Sequence, residues 1–244
     1  MSSLDAAFWG GLAASSLPAG AALAMRARLS SRVTGAIMGF GGGALISSIA
    51  YELVPESRLA AGAWAMGLCF AAGALTFFVG DWIIDRWGGA HRKKIEGAGD
   101  EGSGMAIFMG TLLDGVPESL ILGIGLATGG SIGMAFLASV FVSNLPEGIA
   151  GTDALVAAGS SRRRVMGMWL GLVAASAAAS AAGYAFVTHV PAADGRYASA
   201  FAGGAVLTML SDVMMPEAFE HGGRPVGLLA TLGFLTAAAL AVAE

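Results

Sequence analysis

Apolar runs of about twenty residues recur along the chain, divided by short polar segments. The runs cover approximately 6–25, 32–54, 61–84, 104–127, 131–157, 164–188, 197–217 and 224–243. A helix of about 20 residues matches a hydrocarbon core roughly 30 Å thick. Lipid offers no hydrogen-bond partners, so spanning backbone must be helical or close into a barrel. The runs lack the period-2 alternation of barrel strands. The pattern therefore predicts an all-α membrane protein of eight transmembrane helices, built as a single transmembrane domain over residues 1–244.

The polar segments fix the expected orientation. Arg26, Arg28 and Arg32 fall between the first two spans, Arg86, Arg92, Lys93 and Lys94 between the third and fourth, Arg162, Arg163 and Arg164 between the fifth and sixth, and Arg224 between the last two. Eleven of the thirteen basic residues thus lie on one side, leaving only Arg58 and Arg196 on the other. Basic loops stay cytoplasmic. Both termini are expected outside, and the protein is expected in the cell membrane, the inner membrane if bacterial. The segment 85–104, DRWGGAHRKKIEGAGDEGSG, reads as a flexible cytoplasmic linker. Its Gly97-Ala98-Gly99-Asp100 string copies an intramembrane protease signature but lies in this soluble loop.

Composition narrows the function classes. Charged residues make up 12% of the chain, half the roughly 25% of a soluble domain. The basic residues form no patch suited to nucleic acid. Cys69 is the only cysteine, which excludes an intrachain disulfide and a cysteine-rich metal site. The first basic residue is Arg26, so the first run lacks the basic start of a signal peptide and is expected as a retained span.

A weak internal repeat relates 40-FGGGALISSIAYELVPES-57 to 201-FAGGAVLTMLSDVMMPEA-218, with Phe, Gly, Gly, Ala, Pro and Glu coinciding. The copies lie in spans 2 and 7 and therefore run in opposite senses. This predicts an inverted repeat of spans 1–3 and 6–8 around central spans 4 and 5, the signature of secondary transporters. Glu52 and Glu56 near the outside, and Asp212 and Glu217 near the inside, are candidate stations for a passing cation. The alternative is that they are ordinary polar helix ends.

The central spans carry the unusual chemistry. Span 4 holds Asp114, Pro117 and Glu118; span 5 holds Ser143, Asn144, Pro146 and Glu147. Asp114 and Glu118 are four residues apart and share a helix face, as do Ser143 and Glu147. Three unpaired carboxylates at the bilayer centre would cost on the order of 10 kcal/mol. No central Lys or Arg offsets them, so protons, water or a cation must. Pro117 and Pro146 lack an N–H, which frees the carbonyls of Leu113 and Val142. Loose carbonyls beside carboxylates suit a hard or borderline dication.

These residues resemble the ZIP (Zrt/Irt-like) family of divalent metal transporters, and its GufA-type bacterial branch most. The family's fourth span carries His-Asn-x-Pro-Glu-Gly and its fifth a related Asn-x-Pro-Glu-Gly. Span 5 matches at Asn144-Leu145-Pro146-Glu147-Gly148, and span 4 at Pro117-Glu118. The resemblance implies Asp114, Glu118, Ser143 and Glu147 around one metal, Asn144 near a second, and Ser211 and Asp212 on the cytoplasmic exit. It also implies a homodimer, and a metal that is cargo, with no resident cofactor. The chain departs from the family at Asp114, which stands in place of the His, at Gly115 in place of the Asn, and at Ser119 in place of the Gly. Span 6 has no carboxylate. Without imidazole the metal preference is expected to move from zinc toward manganese- or iron-type ions.

Other polar positions have simpler readings. Asp81 and Asp85 are expected as a solvated helix end, and His189 and His221 as solvated loop-end residues. Trp82 and Trp87 are expected in an interfacial aromatic belt, Asp153 as a candidate relay, and Gly39/Gly43, Gly125/Gly129 and Gly167/Gly171 as close helix contacts. The chain is expected not to be an enzyme. Two other functions compete with metal transport: an intramembrane hydrolase using paired carboxylates, and a ZIP-like relic with a non-transport role.

Overall fold

The structure, a computed structural model, describes residues 1–27, 29–53, 63–86, 102–127, 134–190 and 195–243. Every regular element among them is helical. Eight helices are long and apolar enough to cross a membrane: Ser3–Arg26, Ser31–Tyr51, Trp64–Ile84, Phe108–Ala127, Met134–Ala157, Arg162–His189, Gly195–Gly222 and Pro225–Ala243. They are spans 1 to 8 below. The protein is a multi-pass membrane protein. Leu75, Leu228 and Leu235 point out of the bundle, as expected where the solvent is lipid.

Local chemistry sets the ends. Ser2 and Asp5 form a reciprocal capping box on span 1, with Ser2 N donating to Asp5 Oδ2 at 2.7 Å and Asp5 N to Ser2 Oγ at 3.3 Å. Ser30 and Ser161 cap spans 2 and 6 by accepting from Val33 N and Arg164 N. The tight links after spans 5 and 7 turn at Gly159 and Gly223, with φ of 86° and 68°, where a side chain would strain the backbone.

Three spans are less regular than the apolar pattern predicts. Span 1 divides into helices Ser3–Ala14 and Ser16–Arg26. Pro18 cannot donate to the Ala14 carbonyl, and the Ser15 and Ser16 hydroxyls turn back to the Leu12 and Ala13 carbonyls at 2.6 and 3.1 Å. Spans 2 and 7 each contain a π-helical turn, at Ile49–Leu53 and Leu210–Met214. Such turns carry one residue too many and concentrate at functional sites. By contrast, Pro117 and Pro146 sit inside continuous helices Gly102–Ala127 and Met134–Ala157. The irregularities thus occur in spans 1, 2 and 7, whereas the two central helices run through their prolines.

Four reciprocal glycine crossings bring helices into close contact. A Cβ on Gly43 would overlap the Ala230 carbonyl oxygen of span 8, and one on Gly233 would overlap that of Phe40. Gly204 and Gly73 meet the Phe70 and Phe201 carbonyls, joining spans 7 and 3. Gly20 and Gly148 meet those of Leu145 and Leu17, joining spans 1 and 5; Gly123 and Gly183 meet those of Ser180 and Leu120, joining spans 4 and 6. Bare Cα–H groups lying against carbonyl oxygens hold helices together where lipid gives no hydrophobic drive. Gly39 also packs on Val226, as its spacing predicts, but Gly167 and Gly171 meet nothing within 4 Å. Among the described residues that pair makes no close helix contact, contrary to expectation. A Cβ on Gly125 would likewise meet no described side chain or neighbouring helix within 4 Å, and Gly129 lies outside the described residues.

Between the crossings lie two apolar cores. The larger contains Met38, Leu45, Phe77, Phe136, Val140 and Met209 from spans 2, 3, 5 and 7. The smaller joins Leu17, Leu155, Val165 and Trp169 from spans 1, 5 and 6. In the smaller one the buried Trp169 indole donates to Thr152 Oγ1 at 2.8 Å. Thr152→Val would leave that N–H unmatched in an apolar setting. A loss of about 1–2 kcal/mol is expected, read as a lower thermal midpoint of the purified protein in detergent.

Candidate functional site

Span 4 packs mainly against spans 6 and 7, and span 5 against spans 1 and 2; the two central spans also touch each other. Each is therefore enclosed by protein along its polar face. On span 4, Asp114 and Glu118 are each only 2% exposed, and Thr111 and Ser119 are buried nearby in sequence. Thr111, Asp114 and Glu118, at intervals of three and four, form one stripe. On span 5, Glu147 is 8% exposed, with Ser139, Ser143 and Asn144 also buried. Ser139, Ser143 and Glu147 repeat every four residues, so this stripe is as regular as the first.

Hydroxyls organise the second stripe. Ser143 Oγ donates to the Val140 carbonyl at 3.0 Å and Ser139 Oγ to that of Ala135 at 2.7 Å. Ser139 also meets Ser48 of span 2, oxygen to oxygen at 3.2 Å. Span 2 lies close here because Gly41 has no side chain: a Cβ would sit 2.8 Å from Ser143 Cα. The Ser48–Ser139 pair has no counterpart in the sequence-derived site. The four-residue spacing of Ser139, Ser143 and Glu147 was the signal that could have found it. Asp114, Glu118 and Glu147 each interact with a neighbouring group.

The other predicted positions are placed differently. Asp212 and Ser211 are exposed on the π turn of span 7, Ser211 Oγ donating to the Leu207 carbonyl at 2.9 Å. Asp212 is thus apart in character from the buried set of Asp114, Glu118, Ser143, Asn144 and Glu147. Glu217, one turn beyond, is buried. The carbonyl of Glu217 accepts from His221 Nδ1 at 2.8 Å, so His221 caps its own helix and is half-buried. His189 is exposed and bonded to the Ala185 carbonyl at the end of span 6. Asp153 is half-buried. Among the described residues, no three His, Cys, Asp or Glu side chains gather into a group able to hold a metal. A cation held here needs the hydroxyl and amide oxygens of Ser143 and Asn144, or backbone carbonyls, beside the carboxylates.

Near the C-terminal end of span 3, Asp81 is 6% exposed and interacts with a neighbouring group. It is a buried residue, where a solvated helix end was expected, because it faces the bundle. Trp82 lies on the outer face with the Arg86 guanidinium 3.7 Å above its ring, a cation–π pair suited to the membrane interface. The side chains of Glu52 and Asp85 lie outside the described residues, as do Glu56, Trp87, His91 and Gly97–Asp100.

No protein-family model matches the chain, and no curated protein matches it.

Proposed function

We propose that the protein is a ZIP-like carrier that moves divalent metal cations across the membrane toward the cytoplasm. Burial of Asp114, Glu118 and Glu147 in the middle of two adjoining, otherwise apolar spans carries this reading. Ionisable groups at that depth are costly and belong to substrate and ion pathways. Asn144 and Ser143 supply the neutral oxygens of the set. An all-oxygen shell without imidazole suits manganese- or iron-type ions and binds zinc loosely enough to release it. Asp212, exposed on span 7, serves the exit.

The crossings support an inverted repeat. Phe40 and Phe201, Gly43 and Gly204, and the π turns starting at Ile49 and Leu210 are each 161 residues apart. Their partners Phe70 and Ala230, and Gly73 and Gly233, are each 160 apart. Leu17 with Gly20 corresponds to Ser180 with Gly183, and Leu145 with Gly148 to Leu120 with Gly123. One operation thus pairs spans 1 with 6, 2 with 7, 3 with 8 and 5 with 4. Members of the first three pairs are five spans apart and so cross the membrane in opposite senses. Carriers built this way hold substrate near the midplane between the repeats. The basic loops put both termini outside, and the family resemblance makes the working unit a homodimer.

The purified protein in liposomes, challenged separately with Zn²⁺, Mn²⁺, Fe²⁺, Co²⁺, Ni²⁺ and Cd²⁺, is expected to accumulate at least one ion above protein-free vesicles. Uptake of none, with no dication bound to the purified protein, would leave the relic reading in its place.

A further inference from the structure

Spans 4, 5 and 6 enclose a cleft of about 890 Å³ at the end carrying the Arg162–Arg164 run, within the range of roughly 300–1,000 Å³ for ligand pockets. Its long wall is one face of span 6. Arg164, Gly167, Met168 and Gly171 stand at i, i+3, i+4 and i+7, on one helix face, and all line it. The two glycines remove the side chains along this wall, and a Cβ on either would still meet nothing within 4 Å. Phe108 of span 4 and Leu155 of span 5 face the trough. The floor is thus apolar and smooth, and the mouth is cationic.

The mouth adds to that charge. Arg162, Arg163 and Arg164 are exposed, and among the described residues their guanidinium groups make no ion pair. They open a 28-residue helix whose cap, Ser161, accepts from Arg164 N through its hydroxyl and from Val165 N through its carbonyl. An anion at Arg164 meets a helix N-terminus and that lining cation, with Arg162 and Arg163 adding positive charge from the same turn of helix.

We propose that this cleft holds one anionic phospholipid of the cytoplasmic leaflet, with an acyl chain along Gly167 and Gly171 and the phosphate at Arg164. Charge complementarity selects the occupant. Basic pockets between membrane helices on the cytoplasmic side receive anionic headgroups, and the apolar trough leading away from Arg164 suits the attached chain. A free anion would leave the trough unfilled. The inference is independent of the transport reading, since none of the central carboxylates lines the cleft.

The full chain is reconstituted in nanodiscs of equal parts phosphatidylglycerol and phosphatidylcholine, and the lipids it retains are counted by native mass spectrometry. Preferential retention of one phosphatidylglycerol is expected. Arg164→Ala should reduce it about fivefold, the effect of one cation near the surface. Gly171→Leu should reduce it comparably by filling the trough, without harming the fold, because that position faces open space. Arg224→Ala, on the same side but outside the cleft, should leave retention unchanged. Equal retention of the two lipids would overturn the proposal. So would wild-type retention by Gly171→Leu, an equal loss in Arg224→Ala, or displacement of the lipid by inorganic phosphate.

Discussion

Glu118→Ala and Glu147→Ala are each expected to lower metal uptake into proteoliposomes by more than about tenfold. Loss of even a supporting partner of a metal ligand costs about 10–100-fold, and a direct oxygen ligand is worth at least as much. Both residues are buried at mid-span, so their removal also takes an ionisable group out of a setting that disfavours charge. The thermal midpoint should therefore hold or rise while uptake falls. This opposite movement separates loss of a ligand from loss of the fold, which would lower both. Glu147→Gln keeps the shape and one carbonyl oxygen and should retain more uptake than alanine. Wild-type uptake by both alanine variants would remove Glu118 and Glu147 from the pathway.

Gly43→Leu is expected to give little or no folded protein. Its Cβ would overlap the Ala230 main-chain oxygen and lie 2.6 Å from the carbonyl carbon. Backbone in a packed helix cannot step aside as a flexible side chain can. Overpacking commonly costs 1–3 kcal/mol, and here two whole helices must separate, so a loss of at least roughly 3 kcal/mol is expected. Size-exclusion chromatography in detergent should show aggregate or no peak. Gly167→Leu is the matched control. It makes the same change on a face where nothing lies within 4 Å, and it should elute as wild type. Equal behaviour of the two variants would mean that the crossing between spans 2 and 8 does not hold the bundle together.

The spans were legible because two independent signals agree. Hydrophobic length gives eight segments, and the one-sided basic loops separate them. The burial of Asp114, Glu118, Asn144 and Glu147 was legible as well, since mid-span polar groups must face protein or water. Other features depend on tertiary partners that hydropathy does not register. The π turns at Ile49–Leu53 and Leu210–Met214 leave the apolar content unchanged. The spacing of Gly167 and Gly171 is that of a helix contact, yet only the positions of other helices decide whether a glycine meets a carbonyl or a void. Asp81 looks terminal in sequence, but its helix face turns inward. Pro18 ended a helix where Pro117 and Pro146 did not, because Ser15 and Ser16 beside it offered the freed backbone another arrangement.

The crossings also provide a ruler for the two central helices. Glu147 stands immediately before Gly148, whereas Glu118 stands five residues before Gly123. Measured from their contact points, the two Pro-Glu pairs are out of step by four residues, or about 6 Å of helix. Backbone and acid therefore obey different registers. Under the proposed inverted repeat the scaffold looks much the same from either face of the bilayer, while the negative charge does not, and that mismatch gives the proposed carrier one built-in difference between its two directions.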